Sequence, residues 1–329
     1  MMFISYAQNF EDVILWRALK HIPQGFYVDI GAQDPIVDSV SRGFYEQGWR
    51  GIHIEPTPAY AEKLRQDRPD EVVVQAAIGA SDGNLRFFEF PQTGLSTGDE
   101  AIAEKHSQQG FAVHEIEVSM RPLGSLLDGC SGRDLHWLKI DVEGMESTVI
   151  ESWPPSQVRP WIVVVEGTKP LSSEPVSATY EAILTDMGYD FVYFDGLNRF
   201  YLSQDHKELK KHFLTGPNVF DEYAIAGRAS STIANLLNSQ ISELTESGRR
   251  LQQVVDEQRD IIDENNEAIA GLRHAIDENV RAIATLNEKL TGSESRGDAL
   301  AGQMEAIHNS LSWRITAPLR VLKKLLWRG

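Results

Sequence analysis

The chain reads as an α/β protein: an open, mostly parallel sheet with an antiparallel edge, followed by a long α-helical coiled coil. Three observations predict this. Up to about residue 228, short apolar runs alternate with amphipathic stretches, the pattern of a parallel sheet covered on both faces. Asp195-Gly196, set between two apolar runs, is a strong hairpin signal and supplies the antiparallel edge. After Ala229 prolines vanish until Pro318 and aromatics until Trp313, and apolar residues settle into a heptad.

The predicted elements follow in order. Residues 26–30 form a strand, then a helix at 37–47. Residues 51–55 form the second strand, then a helix at 58–68, whose Pro58 suits a first turn. A third strand spans 71–78. Strands at 85–90 and 113–119 flank a polar, Gly-rich loop at 92–110. Residues 135–141 are the next strand, followed by a helix through Ser152. Another strand spans 161–166, then a helix at 176–187. The hairpin joins 191–194 to 199–202. The expected domains are 1–228, a coiled coil at 229–311, and a basic amphipathic helix at 312–329.

Composition narrows the function. The chain has 329 residues, 42% hydrophobic content and a net charge of −17, ordinary for a water-soluble protein. The acidic balance argues against nucleic acid as a partner. One cysteine, Cys130, leaves no internal disulfide and fits a reducing compartment. No apolar run approaches a membrane-spanning length, and the first twelve residues lack the basic and apolar regions of a signal peptide. The expected location is cytoplasmic.

The chemistry collects at strand ends. Tyr27-Val-Asp-Ile-Gly-Ala-Gln-Asp-Pro35 is a strand, an acid and a glycine turn, where the backbone can approach a ligand closely. The dinucleotide glycine fingerprint is absent, so a nicotinamide cofactor is disfavoured. Glu55-Pro56 ends the second strand, where an acid can grip both ribose hydroxyls. Ala76-Ala-Ile-Gly79 is small and apolar, suited to a purine face. The nucleoside-site candidates are therefore Asp29, Gly31, Ala32, Gln33, Glu55, Pro56, Ala77 and Ile78. Leu138-Lys-Ile-Asp-Val-Glu-Gly-Met-Glu146 delivers further acids to the next strand end, and Glu166 closes the strand after it. Lys139, Asp141, Glu143 and Glu166 are the catalytic candidates. Asp141 and Glu166 suit a divalent cation such as Mg²⁺; the alternatives are that Asp141 serves the cofactor or caps the following helix, and that Glu166 sits in an ion pair. Lys139 either forms a buried ion pair with a carboxylate or takes a catalytic role, according to the side of the strand it faces. His53 reads as packing. His106 and His114 flank the polar loop as acceptor-site candidates. Tyr6, Gln8, Asn9 and Glu11 either fold over the site as a lid or cap the first helix.

The helical region carries one unbroken heptad frame from Ile241 to Leu311. Its d positions include Leu251, Gln258, Asn265, Leu272, Asn279 and Leu286. Residues 263–272 resemble 277–286, a two-heptad repeat that preserves register. β-branched a residues with Leu at d favour a parallel dimer; the amides at d leave a trimer open. Residues 312–328 hold five cations and no acid, with Trp313 and Trp327 bracketing an apolar face. Such a helix suits the surface of an anionic bilayer, which would place the cytoplasmic chain peripherally on the inner face of the plasma membrane; the alternatives are a helix docked on the protein and a frayed basic tail.

From Ser5 to about Asp221 the chain resembles the FkbM family of S-adenosylmethionine-dependent methyltransferases. The carrying segments are 5–12, 28–35, 48–56, 138–146, 159–166 and 193–200. The resemblance implies a seven-stranded methyltransferase sheet, S-adenosylmethionine as donor, O-methylation of a sugar or natural-product hydroxyl, and a cofactor site containing Asp29, Gly31 and Glu55. Gln33-Asp34-Pro35 departs from the glycine-rich ending usual at that turn. The expected function is O-methylation of a sugar hydroxyl on a surface polysaccharide or its lipid-linked precursor, with self-association through the coiled coil. The alternative is a non-catalytic coiled-coil scaffold in a polysaccharide-assembly complex.

Overall fold

The computed structural model describes residues 2–91, 93–176, 178–228 and 232–327. The chain divides into two compact units, Met1–Glu243 and Leu244–Gly329. The boundary expected at Ala229 lies outside the described residues.

In the first unit β1 (Phe3–Ser5) leads into α1 (Glu11–Leu19), β2 (Phe26–Ile30) and α2 (Val40–Glu46). Next come β3 (Arg50–Ile54), α3 (Pro58–Asp67) and two short strands, β4 (Val72–Val74) and β5 (Ala77–Ile78). β6 (Gly83–Glu89), α4 (Glu100–Gln108), β7 (His114–Arg121) and α5 (Leu123–Asp128) follow. The core resumes with β8 (Trp137–Ile140), α6 (Glu146–Glu151), β9 (Ile162–Glu166) and α7 (Ala178–Asp186). β10 (Tyr189–Phe194) and β11 (Asn198–Ser203) form the closing hairpin, and β12 (Tyr223–Ile225) pairs with β1.

The main sheet has seven strands in the order β10-β11-β9-β8-β2-β3-β4. Its centre is parallel, and β11 runs antiparallel to both neighbours. Strand order reverses direction at β2, between β3 and β8, which opens a crevice at the carboxyl ends of these strands. The two faces follow the period-2 alternation of each strand. Val28, Ile30, Ile52, Leu138, Ile140 and Val163 pack in one core with Trp153 and Leu184. Tyr27, Trp137, Ile162, Val164 and Phe200 pack in another with Leu15, Phe44 and Trp49.

Two expectations are corrected here. The run 71–78 is not one strand: the chain leaves the main sheet after Val74, and Ala77 and Ile78 pair instead with Met120 and Arg121 in a three-stranded sheet, β5-β7-β6. The polar stretch 92–110 is not all loop. Asp99 caps α4 by accepting from the Ala101 and Ile102 N–H groups at 2.8 and 3.0 Å, and the helix buries Ala103 and His106. Its low apolar content hid the pattern.

The long helix α8 (Thr232–Asn309) has 78 residues, about 117 Å at 1.5 Å per residue. The division between the two units falls within it. Leu311, the last a position, lies beyond its end and opens α9 (Leu311–Ile315). In α10 (Ala317–Leu326), Pro318 sits in the first turn, as its missing N–H predicts.

Candidate active site

One cavity of ≈ 1120 Å³ opens at the switch point of the main sheet. Every nucleoside-site and catalytic candidate from the sequence lines it: Asp29, Gly31, Ala32, Gln33, Glu55, Pro56, Ala77, Ile78, Lys139, Asp141, Glu143 and Glu166.

The first wall is built by the turn after β2. Gly31 has φ +78°, and its N–H donates to the Ile54 carbonyl at 2.9 Å. A Cβ there would meet the Asp141 carbonyl oxygen at 1.7 Å. Only glycine lets the β2 and β8 ends close to this distance. Glu55, just past β3, accepts from the Gln33 N–H at 2.9 Å, the Thr57 N–H at 2.9 Å and the Thr57 hydroxyl at 2.6 Å. The carboxylate is thereby locked in place on the cavity wall, and burial raises its pKa. Ala77 and Ile78 line the cavity as small apolar groups.

A buried polar row crosses the sheet. His53, Asp29 and Lys139 are register partners on β3, β2 and β8. Asp29 accepts from the Ser41 hydroxyl at 2.7 Å, and His53 Nε2 lies 2.7 Å from Glu71. His53 is fully buried in this polar network and does not line the cavity. Lys139 has the parity of Trp137, which decides the side of the strand it faces. Its ammonium donates to Asp141 Oδ2 at 2.6 Å. Burial alone would lower the lysine pKa, but Asp141, Glu11 and Asp29 outweigh it and hold the pKa raised.

The acids then converge. Asp141, Glu143 and Glu166 each place an oxygen within 4.8 Å of the others. Glu166 is 9% exposed, and its Oε2 has no hydrogen-bond partner among the described residues. Burial, then Asp141 and Glu143, push its pKa up to about 11. Glu143 is raised as well, by burial and then by Asp141. Glu146 accepts from the Val142 and Gly144 N–H groups at 3.2 and 3.1 Å and so shapes the loop that carries Glu143.

The sequence of residues 29–191 matches the family model of the methyltransferase FkbM domain. This head is a methyltransferase.

No curated protein matches the sequence. Solved structures resemble it distantly. A TehB-like SAM-dependent methyltransferase from Corynebacterium glutamicum is 9% identical, covering 58% of this chain and 88% of its own, with TM-score 0.34. DesVI from Streptomyces venezuelae is 10% identical, covering 60% and 90%, with TM-score 0.32. Aeropyrum pernix fibrillarin, solved with natively bound S-adenosyl-L-methionine, is 12% identical, covering 59% and 76%, with TM-score 0.31. Likenesses this distant decide nothing about the chemistry.

The methyltransferase site also holds residues that strand ends do not point to. Gln8, Asn9 and Glu11 line the cavity, whereas the Tyr6 hydroxyl turns away and donates to Glu46 at 2.9 Å. Glu11 accepts from the Asn9 N–H at 2.9 Å, and burial pushes its pKa up to about 8. Asp195, whose sequence signal is only that of a turn, lines the same end, and its carbonyl accepts from the Asn9 amide at 3.1 Å. The hairpin and the N-terminal segment therefore meet at the cavity. Neither histidine of the insertion belongs here. His106 is buried edge-on against Phe90 at 5.4 Å, and His114 is exposed at the start of β7; neither lines the cavity. Chemically, the cavity is lined by a hydrogen-bonded carboxylate at Glu55, by small apolar groups at Ala77 and Ile78, and by a dense carboxylate cluster with one ammonium.

Proposed function

We propose that the head is an S-adenosylmethionine-dependent O-methyltransferase acting on a sugar hydroxyl of a surface polysaccharide or its lipid-linked precursor. The observation that carries this reading is one cavity lined both by Gly31, Glu55, Ala77 and Ile78 and by the clustered carboxylates Asp141, Glu143 and Glu166. Asp29, Gly31, Ala32, Gln33, Glu55, Pro56, Ala77 and Ile78 would hold the donor. Glu55 would take the ribose hydroxyls, and Ala77 and Ile78 the purine. The bound donor supplies a methyl group already activated on a sulfonium.

The chain's own work is then positioning and proton removal. A sugar hydroxyl is a weak nucleophile, so the acidic end is assigned to the acceptor. Asp141, held by Lys139, is the carboxylate that receives the hydroxyl proton. Glu143 and Glu166 contact the acceptor or share a divalent cation with Asp141. The cluster fits a hard cation: its donors are all oxygens, and the buried Glu166 Oε2 has no hydrogen-bond partner among the described residues. Mg²⁺ there would lower the hydroxyl pKa.

The rest of the chain supports a place at an anionic membrane surface. Leu319, Val321, Leu322 and Leu326 of α10 are exposed, Trp313 stacks under Arg320 at 3.6 Å, and Lys323 and Lys324 supply positive charge. No helix among the described residues is long and apolar enough to cross a membrane. In this reading α8 self-associates, and the enzyme works on the inner face of the plasma membrane.

Calorimetry with S-adenosylmethionine, run with and without Mg²⁺, tests the donor site. Binding should be measurable for the native chain and at least about a hundredfold weaker for Glu55→Ala, which removes charge-assisted hydrogen bonds. No binding to the native chain would leave a scaffold instead. Mass spectrometry of surface polysaccharide from a strain lacking the gene should show one methyl missing from a defined sugar; unchanged glycan would refute the acceptor class.

A further inference from the structure

The helix α8 has an apolar seam with a polar interruption that repeats. Among its seam residues, Ile276 is 59% exposed and Ile283 57% exposed in the single chain. A stripe of this length does not stay in water. Its well-filled part runs from Leu251 to Leu290, between a positions occupied by Gly248 and Gly297. Within it the d positions read Leu251, Gln258, Asn265, Leu272, Asn279 and Leu286. Three of the six are amides, at places where leucine would be the stabilising choice.

We infer that Gln258, Asn265 and Asn279 set the register of a parallel, in-register assembly of identical chains. This rests on the self-association reading above and adds its geometry. In a parallel in-register pairing each d residue faces its own copy, so each amide meets an amide and its donor and acceptor are satisfied. Every alternative strands amides against apolar groups. A one-heptad slip pairs Gln258 with Asn265, but sets Asn265 against Leu272 and Asn279 against Leu286. A two-heptad slip is the more dangerous competitor, because residues 263–272 resemble 277–286. It pairs Asn265 with Asn279, yet puts Gln258 on Leu272 and Asn265 on Leu251. An antiparallel pairing sets d against a, so the amides face isoleucine and valine. Burying an unpaired amide costs more than the pairing energy of an added leucine layer restores. The amides therefore act by penalising the wrong registers rather than by strengthening the right one.

The arrangement gives the tail a purpose that a single copy lacks. Parallel chains carry their α10 helices at the same end of the bundle. Several weak basic amphipathic helices, tethered side by side, bind an anionic surface with avidity rather than one by one.

Cysteine crosslinking in the full chain tests the register. The one native cysteine, Cys130, is buried, so an introduced thiol reports alone. Leu286→Cys should crosslink to its own copy nearly completely under mild oxidation. A mixture of Leu272→Cys chains and Leu286→Cys chains should give each self-product and almost no mixed product. Adding Asn265→Leu and Asn279→Leu to both should raise the mixed product severalfold, with association retained. A monomer by sedimentation, a dominant mixed product in the native-amide chains, or no register change after amide removal would each overturn the proposal. Binding of S-adenosylmethionine is measured on the same samples, so loss of register is distinguishable from loss of the donor site.

Discussion

Gly31 bears the tightest steric constraint of the site. With φ +78° and only 1.7 Å between the place a Cβ would occupy and the Asp141 carbonyl oxygen, no side chain fits without parting β2 from β8. Gly31→Ala should cost upward of about 2 kcal/mol of unfolding free energy, from backbone strain and the displaced strand end together. Urea denaturation of the native and variant chains measures it, and an equal midpoint would show the turn is more pliable than its geometry. The same residue shows what was readable in advance. An apolar run, an acid and a glycine point to a strand end near a ligand. They do not say that the glycine serves Asp141, more than a hundred residues later. Lys139 is a similar case. Its place on a strand was plain, but its side was decided by the register that aligns it with Asp29 and by the acids around its ammonium. Glu11 and Asp195 reach the cavity from opposite ends of the head, and only the fold brings them together.

At the scale of elements, the strongly periodic segments were legible and the short or polar ones were not. The strand at 26–30 agrees with the structure, and the closing hairpin follows from Asp195-Gly196. β1 and β12 are three residues each and pair across almost the whole head, so no local pattern marks them. The third strand fails for a different reason: Gln75 alone interrupts its apolar residues, and partner choice changes at that point. The tail helix α10 makes the clearest prediction of an element's function. Leu319, Leu322 and Leu326 recur at helical spacing with Arg320, Lys323 and Lys324 among them. Flotation with vesicles containing anionic lipid should recover the native chain, and Leu322→Asp with Leu326→Asp should weaken recovery at least about tenfold, since each loses burial of a leucine. Equal recovery of both chains, or equal binding to neutral vesicles, would remove the membrane reading of α10.

The whole molecule carries a net charge of −17 and buries several of its acids. Burial pushes Glu11 up to about 8, Glu146 up to about 7 and Asp12 up to about 6. The folded state therefore binds protons more tightly than the unfolded chain, whose carboxyls titrate near about 4. Stability from these groups is full below the unfolded pKa and is lost as pH rises through the folded values, that is, between about pH 4 and 8. Thermal unfolding followed by circular dichroism should give a midpoint several degrees lower at pH 8 than at pH 5.5, and Glu11→Gln should flatten that slope. A midpoint that rises with pH would contradict it. By itself the sequence determined the α/β class, the order of most strands, the acids at their ends and the heptad of the long helix. Those depend on residues that are neighbours along the chain, and local periodicity records them. Only the tertiary structure decided which acids share one cavity, that Lys139 is their cation, that His106 and His114 stand outside the site, and that the chain turns away from the main sheet after Val74. These depend on register and on contacts between distant segments, where the energy lies in burial and charge pairing that no single stretch of sequence contains.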